Sequence, residues 1–197
     1  MLRKAAITRV QVAIVAIIII VAIVAGAAYY YTTLLWPTPT PKDYVKIGCS
    51  LPLSGIFAAG CVIEIPPAIR MIVDDYNAKG GIFLPEYGRR LPVELIMYDC
   101  KSDIDTLVRQ YEKLITEDKV DYIIGTWSTS FNFAVAPLAE QHKHPLIVFS
   151  GQSEQLASAV KNGELKWTFL VLPQPHVLGK HVADYLVYMK ADKIGII

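Results

Sequence analysis

Hydrophobic and polar positions follow two different periods along residues 44–197, and each period predicts a different element. Short, mostly apolar runs predict strands: YVKIGCSLPL, RRLPVELIMYD, VDYIIG, PLIVFS, KWTFLVL and KIGII. Between them, apolar positions recur three and four residues apart, which predicts amphipathic helices. The clearest helix runs from about Asp103 to Asp118. Such strands, each followed by a helix, predict an α/β fold in which a parallel sheet carries helices on both faces.

The N-terminal segment has a different pattern, because no charged position interrupts its apolar run. Residues 10–31 read VQVAIVAIIIIVAIVAGAAYYY, which reaches the ~20 residues that cross a bilayer. Three basic residues precede the run, and the next one is Lys42. Because basic residues stay on the cytoplasmic side, we expect a cytoplasmic N-terminus at 1–9, a transmembrane anchor at 10–31 and a globular part outside the cell.

Two other interpretations of this segment remain open. A cleaved signal peptide would need a shorter apolar core and a small-x-small site, for which AGA at 25–27 is a weak match. The preceding RKAAIT resembles archaeal pilin-type signals, which are cut ahead of the apolar stretch and leave the helix attached. After the run, residues 32–43 contain WPTPTPK, whose prolines exclude helix and sheet and favour an extended polyproline II linker.

Composition narrows the classes of partner. The formal net charge is +1 and no basic face or tail is present, so no nucleic acid partner is expected. The three cysteines, Cys49, Cys61 and Cys100, are too few for a disulfide scaffold and lack the Cys-x-x-Cys spacing of zinc or redox motifs. In an oxidising compartment the sequence is compatible with one disulfide and one remaining thiol.

Motifs for catalysis and for cofactors are incomplete. GIFAAGC at 55–61 has the glycine spacing of a phosphate loop but lacks the Lys-Ser/Thr pair, and no G-x-G-x-x-G follows the first strand. Ser128 stands between Trp127 and Thr129, which is not a G-x-S-x-G elbow. The histidines of HKH at 142–144 end a predicted helix, where they interact favourably with its dipole. We therefore expect neither an enzyme nor a bound metal or cofactor.

Three aspartates, Asp99, Asp103 and Asp105, follow the second predicted strand. A phosphoacceptor carboxylate occupies a related place in receiver domains, but a cytoplasmic receiver does not suit a chain exported behind a membrane segment. We therefore expect these residues to cap the next helix, with Ser102 and Asp105 spaced as a capping box.

Hydroxyl-rich loops follow two neighbouring strands, in IIGTWSTS and FSGQS. Unpaired N–H groups and about half a positive charge at each helix start would favour an anion such as a carboxylate. Adjacent parallel strands lie about 4.8 Å apart, so both loops could contact one small ligand. The candidate contacts are Ser128, Thr129, Gly151 and Ser153. The alternative is that Ser128 and Ser153 act only as helix N-caps.

Five segments together are similar to landmarks of a known family: KIGCSLPLSG, DDYNAKGGI, LPVELIMYDCKSD, YIIGTWSTSFNFAVAPLAEQ and PLIVFSGQS. They resemble the type I periplasmic binding proteins, and most closely the Leu/Ile/Val-binding branch that serves branched-chain amino acid ABC transporters. The resemblance runs from about Val45 to the chain end. It implies a solute-binding component of an ABC importer, which captures a branched-chain amino acid or a related small amino acid or amide outside the cell and delivers it to permease subunits.

The resemblance also implies roles for individual residues. In that family the first lobe holds the ligand's α-carboxylate and α-ammonium through the two hydroxyl loops. By position these roles fall on Thr129, with Ser128 beside it, and on Gly151 and Ser153. Phe57 matches an aromatic contact in the first loop, although SGIFAAGC is a residue shorter than the family pattern there.

Family members have two lobes, and this length suffices for little more than one. We expect lobe one at 44–173 and the start of an incomplete lobe two at 174–197, in a C-terminally truncated chain that binds weakly. The expected location is the cell membrane, single-pass, with the globular part extracellular. Two other functions remain open: an extracellular ligand-sensing module of a receptor, and a pilin-like surface structural subunit.

Overall fold

The computed structural model describes residues 9–31, 42–191, 193 and 195. The chain divides into two compact units, Met1–Pro41 and Lys42–Ile197. Most of the linker expected at 32–43, and most of the terminal strand expected at 193–197, lies outside the described residues.

The first unit contains helix α1, Arg9–Tyr30, which is built from the uninterrupted apolar run. Its isoleucines are in contact with solvent; Ile17, Ile20 and Ile23 are 60%, 59% and 65% exposed. Within the described ranges, no helix combines the length and the apolar character needed to cross a membrane. The membrane anchor expected at 10–31 therefore stays a prediction from the sequence.

The second unit is built on a sheet of five strands in the order β4-β1-β5-β6-β7, in which every neighbouring pair is parallel. The strands of this sheet are β1 (Val45–Leu51), β4 (Val93–Asp99), β5 (Tyr122–Ile124), β6 (Leu146–Val148) and β7 (Thr168–Leu170). A separate hairpin consists of β2 (Ile82–Leu84) and β3 (Arg89–Leu91). The helices are α2 (Ala58–Cys61), α3 (Ile65–Ala78), α4 (Ile104–Thr116), α5 (Thr129–His142), α6 (Glu154–Lys161) and α7 (Pro175–Tyr188). The predicted α/β fold with a parallel sheet is confirmed.

The second predicted strand, RRLPVELIMYD, is in fact two strands separated by Pro92. Proline has no N–H to donate to a strand ladder, and its carbonyl accepts the backbone N–H of Val45 at 2.9 Å. Before this break β3 turns away to pair with β2, and after it β4 pairs with β1. Gly88, at φ 62°, ends the 3₁₀ turn that joins β2 to β3. This hairpin is absent from the sequence-based prediction.

The two faces of the five-stranded sheet are covered unequally. Helices α4 and α5 bury one face in a large apolar cluster with β5 and β6. On the other face a smaller cluster of Cys49, Leu51 and Cys61 lies beneath α3. Further along this second face, Ile147 and Phe169 pair in register on β6 and β7, yet they are 37% and 54% exposed. In the described part of the chain, helices therefore cover the second face only in part.

Helix α4 begins after Asp103, so the predicted capping box of Ser102 and Asp105 is wrong. The Asp103 carboxylate accepts the N–H of Thr106 at 2.7 Å, and hydrogen bonds with the side chain and the backbone of Thr106 lower the pKa of Asp103. The physical reason is the turn before the helix. Lys101 and Ser102 both have positive φ, so Asp103 is the residue with the extended backbone that an N-cap requires.

Candidate ligand-binding site

The candidate site lies at the carboxyl edge of the sheet, where the loops after β5 and β6 meet and the loop after β1 packs against them. The chain runs from β1 to β4 on one side and later to β5 on the other, so the direction of the strand order reverses at β1. In open parallel sheets this reversal opens a crevice in which ligands bind.

The first loop, between β1 and α2, is held by Asp99 at the end of β4. Its carboxylate accepts N–H groups of Leu53, Ser54 and Lys101 at 2.9, 3.1 and 2.8 Å, and the Ser54 hydroxyl at 2.7 Å. Partial burial pushes the pKa of Asp99 upward, but hydrogen bonds led by that of Ser54 outweigh it and hold the pKa below its usual value. Because its carboxylate accepts these four hydrogen bonds, Asp99 holds this loop in position.

Ser102 fixes the same loop from the other side. Its hydroxyl donates to the carbonyl of Ser54 at 2.7 Å and accepts the N–H of Phe57 at 3.0 Å. Gly55 between them has φ 85°, and a Cβ there would lie 2.6 Å from the carbonyl oxygen of Lys101. The close approach of the two loops therefore requires glycine at this position.

Asn132 joins the loops after β5 and β6, a role that is absent from the sequence-based prediction. The side chain is fully buried in α5. Its oxygen accepts the N–H of Thr126 at 3.0 Å, and its amide donates to the carbonyls of Thr126 at 2.8 Å, of Ser128 at 2.9 Å and of Ser150. Gly125 permits this approach, because a Cβ there would lie 2.5 Å from the Asn132 oxygen.

A signal for Asn132 exists in the sequence. Asn132, Val135, Ala136 and Ala139 are all buried in the structure, and they follow the i, i+3, i+4, i+7 spacing of the inward face of a helix. A polar side chain on such a face must find hydrogen-bond partners. The two adjacent loops are where those partners lie.

Among the described residues, no side chain caps the first N–H groups of helix α5. Ser128 is the N-cap residue, but it makes no side-chain capping bond. Its hydroxyl instead lies 3.0 Å from that of Ser130, and its backbone N–H donates to the Ser150 hydroxyl at 3.2 Å. Ser128 also has φ 88°, a conformation that costs non-glycine residues about 1–3 kcal/mol. Free N–H groups at a helix start provide a favourable position for a negatively charged group.

An open cleft of about 280 Å³ lies against this helix start. Its lining residues are Trp127, Ser128, Thr129, Ser150, Gly151, Gln152 and Leu172. The structure thus brings together three of the residues expected from the sequence, Ser128, Thr129 and Gly151. None of the seven lining side chains carries a charge.

Ser153 and Phe57, which were also expected to contact a ligand, do not line this cleft. The Ser153 hydroxyl accepts the N–H of Leu156 at 3.4 Å and thereby caps α6, while its own N–H donates to Gln174 at 3.0 Å. Phe57 packs against Trp127 and Phe131, with ring centroids 6.1 and 5.4 Å apart. Ser153 therefore has the capping role that was the alternative interpretation, and Phe57 supports Trp127 from behind.

A larger cleft, of about 430 Å³, lies between α5 and α6 and is lined by residues that include Phe133, Pro137 and Glu164. It does not include the strand-end loops or the start of α5. The smaller cleft is the better candidate, because hydroxyls, free N–H groups and close-approaching glycines converge there.

The histidines of HKH at 142–144 lie outside both clefts. His142 Nε2 lies 3.1 Å from the carboxylate of Glu112 on α4. Among the described residues, no group of three or more His, Cys, Asp or Glu side chains is arranged to hold a metal ion.

Solved structures share this architecture. A branched-chain amino acid transporter substrate-binding protein from Streptococcus pneumoniae, solved with isoleucine, is 26% identical with a TM-score of 0.57, over 66% of this chain and 34% of that one. A putative branched-chain amino acid ABC transporter protein from Silicibacter pomeroyi is also 26% identical, with a TM-score of 0.62, over 75% of this chain and 36% of that one. A leucine-binding protein from Thermotoga maritima is 21% identical with a TM-score of 0.55, over 72% of this chain and 36% of that one. At this identity it supports the fold alone.

This chain spans about a third of the length of these structures, with 34% and 36% of the two more similar chains covered. A curated protein, protein sey1 of Neurospora crassa, is 32% identical over 75 residues, but the match covers only 9% of that protein and carries no functional argument. Residues 44–197 match the family described as periplasmic binding protein. The chain belongs to the periplasmic binding protein family.

Proposed function

We propose that the second unit captures a small carboxylate-bearing solute of the amino acid or amide class and is the solute-binding component of an ABC importer. The branched-chain amino acids are the first ligands to test, because the S. pneumoniae protein was solved with isoleucine. The observation that carries the proposal is the uncapped start of α5, which faces an uncharged cleft beside Thr129.

Thr129 is the proposed carboxylate contact. It is the first residue of α5 and lines the cleft, and within the described residues its hydroxyl has no hydrogen-bond partner of its own. A carboxylate there would accept the Thr129 hydroxyl and the first N–H groups of the helix. Gly151, which also lines the cleft, lets a ligand approach the backbone. Because the cleft is open, we expect weak binding, since only an enclosed site strips water from each polar contact.

Calorimetry and ligand-observed NMR of the full chain with leucine, isoleucine, valine and leucinamide test the proposal. Leucine should bind in the millimolar range and leucinamide more weakly, because the amide lacks the carboxylate charge. Replacing Thr129 by Val should weaken leucine binding about tenfold, the effect of one lost hydrogen bond to a charged group.

The matched control is Thr116→Val on α4, which removes a hydroxyl that donates to Glu112 and lies outside the cleft. It should leave leucine binding unchanged. Equal affinities for leucine and leucinamide, or equal losses in the two variants, would contradict the proposed carboxylate contact.

We also infer that α1 attaches the protein to the cell membrane and leaves the second unit outside, where an importer's permease subunits could receive its ligand. The inference is supported by the uncharged run at 10–31 and by the solvent-exposed isoleucines of α1. In cells, the full chain should resist carbonate extraction and be cut by external protease. A variant without residues 10–31 should lose membrane attachment. Full extraction of the intact chain by carbonate would refute the anchor.

A further inference from the structure

Trp127 contributes the largest apolar side chain of the cleft. It precedes the N-cap of α5, is partly buried, and lines the cleft together with Ser128 and Thr129. Leu172 adds a second apolar side chain from beyond β7. A ligand whose carboxylate meets the start of α5 therefore has its apolar body beside an indole ring.

The indole is held in place from behind. A Cβ on Gly60 of α2 would lie 2.7 Å from Cζ2 and 2.9 Å from Cη2 of Trp127, so the ring rests directly on the helix backbone. Phe57 contacts the same ring, and Phe131 packs edge-to-face on Phe57 with the ring planes at 90°. Because three aromatic rings support one another, the position of the indole is fixed before a ligand arrives.

We propose that Trp127 is the specificity-determining residue of this cleft and that it selects a carboxylate with a flat aromatic body, an aromatic acid or aromatic amino acid, over one with a branched aliphatic body. This inference rests on the proposed function, because it needs the carboxylate at the start of α5. Aromatic pairs gain about 0.5–1.5 kcal/mol beyond the area that they bury. That gain corresponds to a preference of about 2- to 12-fold over an aliphatic body of equal size.

Matched ligands separate the effect of a flat ring in the ligand from the effect of its carboxylate. L-Phenylalanine and L-cyclohexylalanine carry the same polar groups and differ in having a flat or a puckered ring. The full chain should bind phenylalanine at least about twofold more tightly than cyclohexylalanine and leucine. The ratio of affinities for 3-phenylpropanoate and phenylalanine then tells whether the free acid or the amino acid is preferred.

Three variants assign the preference to the ring. Trp127→Leu should abolish the preference for phenylalanine over cyclohexylalanine, whereas Trp127→Phe should keep it. Gly60→Ala should reduce it, because the added methyl displaces the indole. Trp167→Phe, at a tryptophan outside the cleft, is the control for general effects and should change nothing.

Two results would overturn the inference while leaving the proposed function intact: equal binding of phenylalanine, cyclohexylalanine and leucine, or a preference that survives Trp127→Leu. If none of these carboxylates binds, or if Thr129→Val leaves their binding unchanged, the proposed function fails and this inference fails with it.

Discussion

Replacing Asn132 by Leu should detach the two hydroxyl loops from each other and destabilise the second unit. Leucine has the same branched shape and the same number of side-chain heavy atoms, so the change removes hydrogen bonds without opening a cavity. Four hydrogen bonds are lost, and the two to the backbone of Thr126 are fully buried. Each buried group left unpaired costs about 1–3 kcal/mol, and the partly exposed carbonyls of Ser128 and Ser150 cost less because water can reach them. The expected loss is about 3–5 kcal/mol, a large part of a typical domain stability of about 5–15 kcal/mol.

Urea denaturation followed by near-ultraviolet circular dichroism measures this loss, since the signal reports the packing of the aromatic residues near the loops. Asn162→Ala on the surface is the control and should change stability by less than about 0.5 kcal/mol. Asn132→Asp adds a signature in pH. The ionised carboxylate would face three carbonyls, so its pKa should rise and part of the lost stability should return as pH falls and the group takes a proton.

A loss below about 1 kcal/mol in Asn132→Leu would refute the reasoning. It would mean that water or a shift of the loops satisfies the freed groups. A stability loss in Asn132→Asp that does not change with pH would equally contradict the geometry, because it would place the carboxylate in water.

Three further predictions concern groups away from the cleft. Thr168→Val should stabilise the protein by up to about 1 kcal/mol in urea denaturation, because the buried Thr168 hydroxyl has no hydrogen-bond partner within the described residues; destabilisation would contradict this. Burial lowers the pKa of His144, an effect opposed by Asp121. As pH falls, the unfolded chain therefore takes up the proton before the folded chain does, and the free energy of unfolding should decrease from pH 7 toward pH 5. His144→Gln should flatten this dependence on pH. Burial raises the pKa of Cys49 to about 12 and of Cys61 to about 11, and it also raises the pKa of Cys100. All three thiols should therefore resist Ellman's reagent at pH 7.5 until urea is added. Fast labelling of any one of them in the native protein would contradict their burial.

The fold was predictable because its signals are local. Apolar runs and helical periods depend on neighbouring residues, so the order of strands and helices and their parallel arrangement follow from the sequence. The hairpin of β2 and β3 escaped because only Pro92 separates β3 from β4, so the two strands form one continuous run in the sequence. The break at Pro92 carried a visible signal, since proline cannot donate within a ladder.

The site was predictable only in part, because its geometry depends on contacts between distant loops. Thr129 and Gly151 stand at strand ends that any parallel sheet brings together, and both line the cleft. Whether Ser128 and Ser153 cap the helices that follow them depends on backbone angles. At φ 88° Ser128 does not cap, whereas Ser153, with an extended backbone, does. No local sequence pattern distinguishes these two serines.

The outer strand of the sheet, β7, introduces a second equilibrium for this protein, which is self-association at the edge of the sheet. Within the described residues β7 pairs only with β6, and Phe169 on its uncovered face is half exposed. An unpaired edge beside an apolar surface is a template for adding a strand from another chain. Dimers and larger species should therefore increase with protein concentration. Because Leu172, in the loop after β7, lines the cleft, self-association at this edge would compete with the proposed ligand, and the apparent affinity would fall as the protein is concentrated.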